Sequence, residues 1–510
     1  MSGRLRWLCP MLLVGLAVIG TGVGRAADPP PADDTARLQA LLEAQQRQIQ
    51  RLEERLAAAE QNDTDRARVD VLRQQIREIL SDREFRDSLM PTTAQVGYDK
   101  GFYIRSTDEK FKMQFNGLFQ FRFTHYGTRS TNRYLAPGFQ RDDRTGFDFA
   151  RVRFQVSGHA YDPKLTYLME FESTPDGAAR YDTGLKYGWI NYRFVDEFQF
   201  MAGIMRLASM RASFGSTRAF HTIDYPTLTE PVFGLGDGLG VRFWGHLLNK
   251  RGAYYLDIVN SFNSPGTRTI TNDEDLFTNG HDNNPAIVLR TVWALLEGES
   301  RDKPEGGSTF WANSDSEYHT APAWEIGFHY GYTEDRYDGN LRIPFPRRTF
   351  FAPGGFGLTT SDGLQIHQFG LDTGFKFMGF SLTAEYVGRV LDVRDGTTPP
   401  LTPLFQLTGD GSTNVQHGGY VECGYFLPIP GLENKFEVVA RVEGITTNSG
   451  GVEGTWAYTG GLNYYFEGHR VKLQTDLTKV SEVPISSPTH SLANVNDDAL
   501  IWRTQLQVAF

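Results

Sequence analysis

The stretch Phe111-Lys112-Met113-Gln114-Phe115-Asn116-Gly117-Leu118-Phe119-Gln120-Phe121-Arg122-Phe123-Thr124 decides the fold class. Phe111, Met113, Phe115, Phe119, Phe121 and Phe123 share one parity, and Lys112, Gln114, Asn116, Gln120, Arg122 and Thr124 share the other. Successive side chains of a strand point to opposite faces, so this segment predicts a strand with one greasy and one hydrophilic side. The pattern recurs down the chain. Val152, Phe154 and Val156 alternate with Arg151, Arg153, Gln155, Ser157 and His159. Phe369, Leu371, Phe375 and Phe377 interleave with Gln368, Asp372 and Lys376, and Phe380, Leu382, Ala384 and Tyr386 with Ser381, Thr383, Glu385 and Arg389. Phe436, Val438, Ala440 and Val442 interleave with Glu437, Arg441 and Glu443, and the chain closes on Leu500, Trp502, Thr504, Leu506, Val508 and Phe510 against Arg503, Gln505 and Gln507.

Repeated alternating segments of about ten residues, separated by turn-rich loops, are the pattern of a transmembrane barrel. A soluble sandwich also alternates. Here, however, the apolar parity carries Phe, Tyr and Trp almost throughout, with aromatics frequent near segment ends, as in the girdles of a lipid-facing band. A charge moved to the lipid side at mid-membrane costs about 2–4 kcal/mol, so the parity is enforced. Closing the ring removes unpaired strand edges, which lipid cannot satisfy. The reading is an all-β, antiparallel transmembrane barrel of about 16 strands over residues 101–510. Tyr187–Phe194 and Val241–Leu248 can be phased either way.

The 510 residues have a mean hydropathy of −0.39 and 13% aromatics, so the average residue is polar although the chain is ring-rich. Residues 1–26 predict a cleaved secretory signal: Arg4 and Arg6, an apolar run from Trp7 to Gly20, then Gly24-Arg25-Ala26. A linker follows over 27–34. Over 35–90, Leu38, Leu42, Gln45, Ile49, Leu52, Leu56 and Ala59 form a heptad seam that restarts at Val69, Leu72, Ile76 and Ile79. This predicts an α-helical coiled coil ahead of the barrel, in the periplasm; a single amphipathic helix lying on the barrel or on peptidoglycan is the alternative. Of the 2 cysteines, Cys9 lies in the signal, which leaves Cys423 without an intramolecular partner. A net charge of −10 speaks against a nucleic-acid partner. No cofactor, metal or catalytic motif stands out: the glycines from Gly234 to Gly240 lack a βαβ context, and Asp273, Glu274 and Asp275 lack EF-hand spacing.

Several short stretches resemble one family. Phe149-Ala150-Arg151-Val152-Arg153-Phe154, Gly203-Ile204-Met205-Arg206, Ser216-Thr217-Arg218-Ala219-Phe220, Phe436-Glu437-Val438-Val439-Ala440-Arg441, Gly461-Leu462-Asn463-Tyr464-Tyr465 and the terminal Phe510 are similar to stretches of the phosphate-selective porin O and P family. The resemblance implies a 16-stranded, usually trimeric barrel in a Gram-negative outer membrane, with one external loop folded inward. It also implies passive diffusion of small hydrophilic solutes, with arginines drawing small anions such as phosphate; a guanidinium fork matches phosphate oxygens. Carried over, Arg151 and Arg153 belong to the lumen wall, and Arg206 and Arg218 to an inward loop at 206–232. Arg122, Lys376, Arg389 and Arg441 share the lumen parity and join them as pore-lining candidates. Departures stand beside these matches: Met205 replaces an aromatic, Leu207-Ala208-Ser209 follows the turn, and Glu170, Glu172, Glu385 and Glu437 face the lumen with the arginines. Outer-membrane lipid, a homotrimer and, through the coiled coil, peptidoglycan are the expected partners. A general, non-selective channel serving mainly as an envelope tether and a barrel-embedded hydrolase are the alternatives.

Overall fold

The computed structural model describes residues 50–51, 94–128, 143–175, 181–260, 262, 285–296, 312–335, 364–393, 413–447, 454–481, 483 and 498–510. The expected signal, the linker and, apart from residues 50–51, the coiled coil lie outside the described residues, as does the acidic run at 273–275. The strands are β1 (Gln95–Tyr98), β2 (Phe102–Arg105), β3 (Lys112–Thr128), β4 (Arg144–Ala160), β5 (Asp162–Pro175), β6 (Tyr181–Val195), β7 (Phe198–Arg206), β8 (Asp237–Leu247), β9 (Gly252–Val259), β10 (Ala286–Ala294), β11 (Ala323–Asp335), β12 (Leu364–Phe377), β13 (Phe380–Val393), β14 (Thr413–Phe426), β15 (Phe436–Thr447), β16 (Thr455–Glu467), β17 (Val471–Val480) and β18 (Ala499–Ala509).

Each strand from β3 onward pairs antiparallel with the next, and β18 returns to β3, so sixteen strands close a ring. Along β3, Leu118–Thr128 pairs with β18, while Lys112–Phe115 pairs with β2 of the small β1–β2 hairpin. Closure is completed by the last residue. Phe510 donates its N–H to the Gly117 carbonyl (3.1 Å) and accepts from the Gly117 N–H (2.9 Å). A Cβ on Gly117 would fall 2.3 Å from the Phe510 ring, so the absence of a side chain at 117 lets that ring lie across β3.

The outward parity is apolar and solvent-exposed, as a lipid-facing wall requires. Phe121, Val442, Leu477 and Trp502 each keep more than two fifths of their surface exposed. Stacked rings such as Phe121–Phe147 (5.7 Å) and Phe198–Phe243 (6.2 Å) tile this face. Two β-bulges explain where the alternation blurs in sequence. One, between Gln120 and Phe121 on β3, leaves Ala150 unpaired on β4 and brings Arg151 into the lumen. The other, between Glu170 and Phe171, makes Lys186 the extra residue of β6, so Lys186 and Tyr187 both turn inward. The ambiguous β8 settles with Arg242 and Trp244 inside.

Connections at one end are short. Met378-Gly379, both at positive φ, makes the two-residue β12–β13 turn, a backbone form that matches strand twist. The β7–β8 connection runs inside the barrel, and part of a second connection is buried. Residues 207–236, between β7 and β8, carry α1 (Arg211–Phe214), a 3-10 turn (Thr217–Ala219) and α2 (Thr229–Phe233). Residues 312–322, from the β10–β11 connection at the short-turn end, include the buried Ala312, Ser314 and Asp315.

Candidate functional site: the inserted loop and its clamps

The lumen parity is charged, and the structure shows what those charges hold. An irregular segment at membrane depth is tolerated only where protein satisfies its backbone. Between 207 and 236 the loop makes few hydrogen bonds within itself, so the barrel wall supplies the rest. Carboxylates take its N–H groups. Asp257 accepts from Ala208 (2.8 Å), Glu385 from Arg211 (2.9 Å) and Ala212 (3.3 Å), and Asp476 from Ile223 (3.1 Å). Glu443 accepts from Thr227 (2.7 Å), Leu228 (2.8 Å) and Thr229 (3.3 Å).

Cations and amides take its carbonyls. Arg290 donates to Ser209 (2.6 Å), Lys472 to Phe220 (2.9 Å), Asn463 to His221 (2.7 Å) and Gln368 to Phe233 (2.9 Å). Apolar anchors finish the attachment. Leu207, Met210, Leu228, Val232, Phe233 and Leu235 pack with wall residues such as Val288, Val387 and Ile445. Gly238 on β8 makes space for Leu207, whose Cδ2 lies 2.9 Å from where a Cβ would stand.

Each expected site residue has a defined place in this scheme. Arg122 binds Asp148 (3.0 Å) and Asp224 (3.1 Å), and Arg151 binds the other Asp224 oxygen (2.7 Å) and lies over the Tyr225 ring. Arg441 reaches the Asp224 and Tyr225 carbonyls (both 3.2 Å) and pairs with Glu422 (3.1 Å) and Glu443 (3.0 Å). Asp224 thus gathers three of the expected cations. Arg153 pairs with Glu172 (2.8 Å) and donates to Thr217 Oγ1 (2.9 Å); Arg206, the last residue of β7, pairs with Asp237 (2.5 Å). Arg389 stands apart, donating to Gln368 (2.6 Å) and the Val232 carbonyl (2.7 Å). Lys376 is buried on β12. Arg218 is half-buried on the 3-10 turn, its carbonyl accepting from Gln507 (3.0 Å).

Among the described residues, lumen side chains of β12–β18 such as Gln368, Ser381, Glu437, Lys472 and Arg503 have no exposed surface, whereas Gln155, Ser157, His159, Thr166 and Leu168 on β4 and β5 keep some. The loop itself is exposed at Gly215 and Ser216 and half-buried at Phe214 and Arg218. Among the described residues the exposed lumen surface therefore gathers at this turn and on β4 and β5, with Arg153 and Arg206 half-buried beside it.

Two loop groups have shifted protonation. Burial alone would drive the His221 imidazole down. Glu437 (3.3 Å from Nε2) and Glu422 (3.0 Å from Nδ1) overcome that and push it up to about 9. Burial likewise opposes the charge on Arg211, but Glu325 and Asp372 raise it further above its ordinary value. His221 and Asp224 fall within the loop at 206–232 that the sequence marks as a candidate, whereas Glu422 and Glu443, which meet it from β14 and β15, carry no mark as isolated residues. Their signal was the near balance of acids and bases on one parity.

Residues 129–269, which span β4–β9 and the whole inserted loop, match the sequence model described as phosphate-selective porin O and P. This match covers part of the chain, within a closed ring of sixteen antiparallel strands. No curated protein matches this chain. Among solved structures it is similar to an anion-selective porin from Comamonas acidovorans (8% identity, 78% of this chain and 100% of that one, TM-score 0.47). It is also similar to OmpT, an outer membrane protein of Vibrio cholerae, in its trimer form (10%, 78% and 99%, 0.44), and to the outer membrane channel DcaP of Acinetobacter baumannii (9%, 80% and 99%, 0.45).

Proposed function

We propose that this chain is an outer-membrane porin that passes small hydrophilic solutes by diffusion with a preference for small anions such as phosphate, and that it works as a homotrimer. One observation supports the anion preference: Arg153, Arg206 and Arg218, all half-buried, border the exposed lumen surface at the loop turn. Guanidinium groups in a narrow, weakly screened passage attract oxyanions, while the carboxylates beside them keep the attraction weak enough for release. The coiled coil expected over 35–90 would serve the trimer or grip peptidoglycan; trimer stability after removal of 36–80 tests this. The decisive experiment is the reversal potential of the full-length protein in a planar bilayer under a salt gradient. Wild type is expected to favour the anion. Arg218→Glu is expected to shift the potential toward the cation more than Arg193→Glu, whose side chain lies exposed near the short turn. Equal shifts, or cation preference in wild type, would remove phosphate from the reading and leave a general channel.

A hydrolase reading draws on one specific arrangement. Ser381 Oγ lies 2.9 Å from His221 Nε2, and His221 Nδ1 lies 3.0 Å from Glu422, the connectivity of an acyl-transfer triad. Two facts weigh against it. The imidazole holds its proton to about 9 between two carboxylates, so at neutral pH it is a cation and not a base. Ser381 also has no exposed surface. The trio is better read as a clamp on the loop.

A further inference from the structure

We propose that residues 312–319 form a strap that enters the bore from the short-turn end and latches the tip of the inserted loop at the Glu422 carboxylate, so that the loop's position is held from that end of the channel. The proposal rests on the channel reading and adds to it a moving part.

The strap has a foot and a tip. At the foot, Asp315 accepts the Gly379 N–H of the β12–β13 turn (2.8 Å) and the His319 N–H (3.2 Å), and it binds the His319 ring. The His319 carbonyl accepts the Met378 N–H (2.8 Å), so this foot is bound twice to the barrel rim. Above it, Ser314 Oγ hydrogen-bonds His469 Nε2 (2.7 Å) in the β16–β17 turn. At the tip, Asn313 donates its backbone N–H to the Ala219 carbonyl of the loop (3.2 Å) and its side-chain amide to Glu422 (3.0 Å).

Glu422 is where strap and loop share an acceptor. His221 (3.0 Å) and Thr222 (3.2 Å) reach it from the loop, Arg441 (3.1 Å) from the wall and Asn313 from the strap. The loop's other clamps are strand side chains, fixed by the hydrogen-bonded ladder of the barrel. The strap is no strand. It can leave without breaking any rung of that ladder, and its departure removes a donor from Glu422 and a donor from Ala219 together. A buried carboxylate that loses a donor loses part of what offsets its desolvation, so the loop tip around 219–222 loosens with it.

Single-channel recording of the full-length protein in planar bilayers tests the latch. Asn313→Asp sets a second carboxylate against Glu422. It is expected to raise the frequency of conductance transitions severalfold, while Asn313→Gln, which keeps the amide, stays close to wild type. An Asn313→Asp channel that conducts with wild-type steadiness overturns the strap as a moving part and leaves the channel reading standing. A wild-type protein with no conductance defeats the channel reading itself. Should Asn313→Asp fail to assemble, Asn313→Cys with Ala219→Cys in a Cys423→Ser background replaces it. Oxidation is expected to silence transitions and reduction to restore them; traces indifferent to both would overturn the latch.

Discussion

Raising the pH should release the tip of the inserted loop through one residue, His221. Its imidazolium donates to Glu422 (3.0 Å) on one side and sits 2.9 Å from Ser381 and 3.3 Å from Glu437 on the other, with no exposed surface. Its proton is held to about 9, against 6.5 for an ordinary imidazole. That difference corresponds to roughly 3 kcal/mol of anchoring, or on the order of three hundredfold in a docked-to-undocked ratio. Because the folded value is raised, the stabilisation is whole below about pH 6.5, declines as pH rises, and is gone above about 9. Beyond that point Glu422 and Glu437 face each other across a neutral ring. The assay is single-channel recording across that range. Wild type is expected to be quiet at neutral pH and to gain transitions as the imidazole empties. His221→Gln, which cannot lose a proton, is expected to be noisy at every pH with little slope. A wild-type trace indifferent to pH would refute the argument, and so would a His221→Gln channel with the wild-type slope, since lysines titrating nearby would then be responsible.

Three further outcomes follow from the same geometry. Glu443→Ala leaves the N–H groups of Thr227, Leu228 and Thr229 without their acceptor, each worth about 1–3 kcal/mol when buried, so protease should cut near 226–230 much faster than in wild type; unchanged cleavage would contradict the clamp. Val442→Arg puts a cation on the lipid face of β15 and should cost about 2–4 kcal/mol in a refolding titration with lipid vesicles, whereas an indifferent protein would place position 442 on the lumen side. A fluorophosphonate serine probe should leave Ser381 unlabelled in the folded channel, and stoichiometric labelling would reinstate the hydrolase reading.

The ring of strands was legible because its cause is local. Side chains of one strand alternate every residue, so Phe111–Thr124 or Phe436–Glu443 declares its two faces without reference to the rest of the chain. The reading blurred at Tyr187, where the extra residue Lys186 turns two successive side chains inward; a bulge is a property of two strands, not one. The charges were legible as well, but not their partners. The sequence by itself determined that acids and bases share one wall of a lipid-embedded barrel. Only the tertiary structure decided that Glu443 meets Thr227, 216 residues away, that Asp224 draws Arg122, Arg151 and Arg441 together, and that Asn313 reaches Ala219 from the opposite end. Strand periodicity follows from neighbouring backbone geometry, whereas the clamps follow from which strands the closed ring sets across the bore from the loop, and no short window of residues encodes that distance.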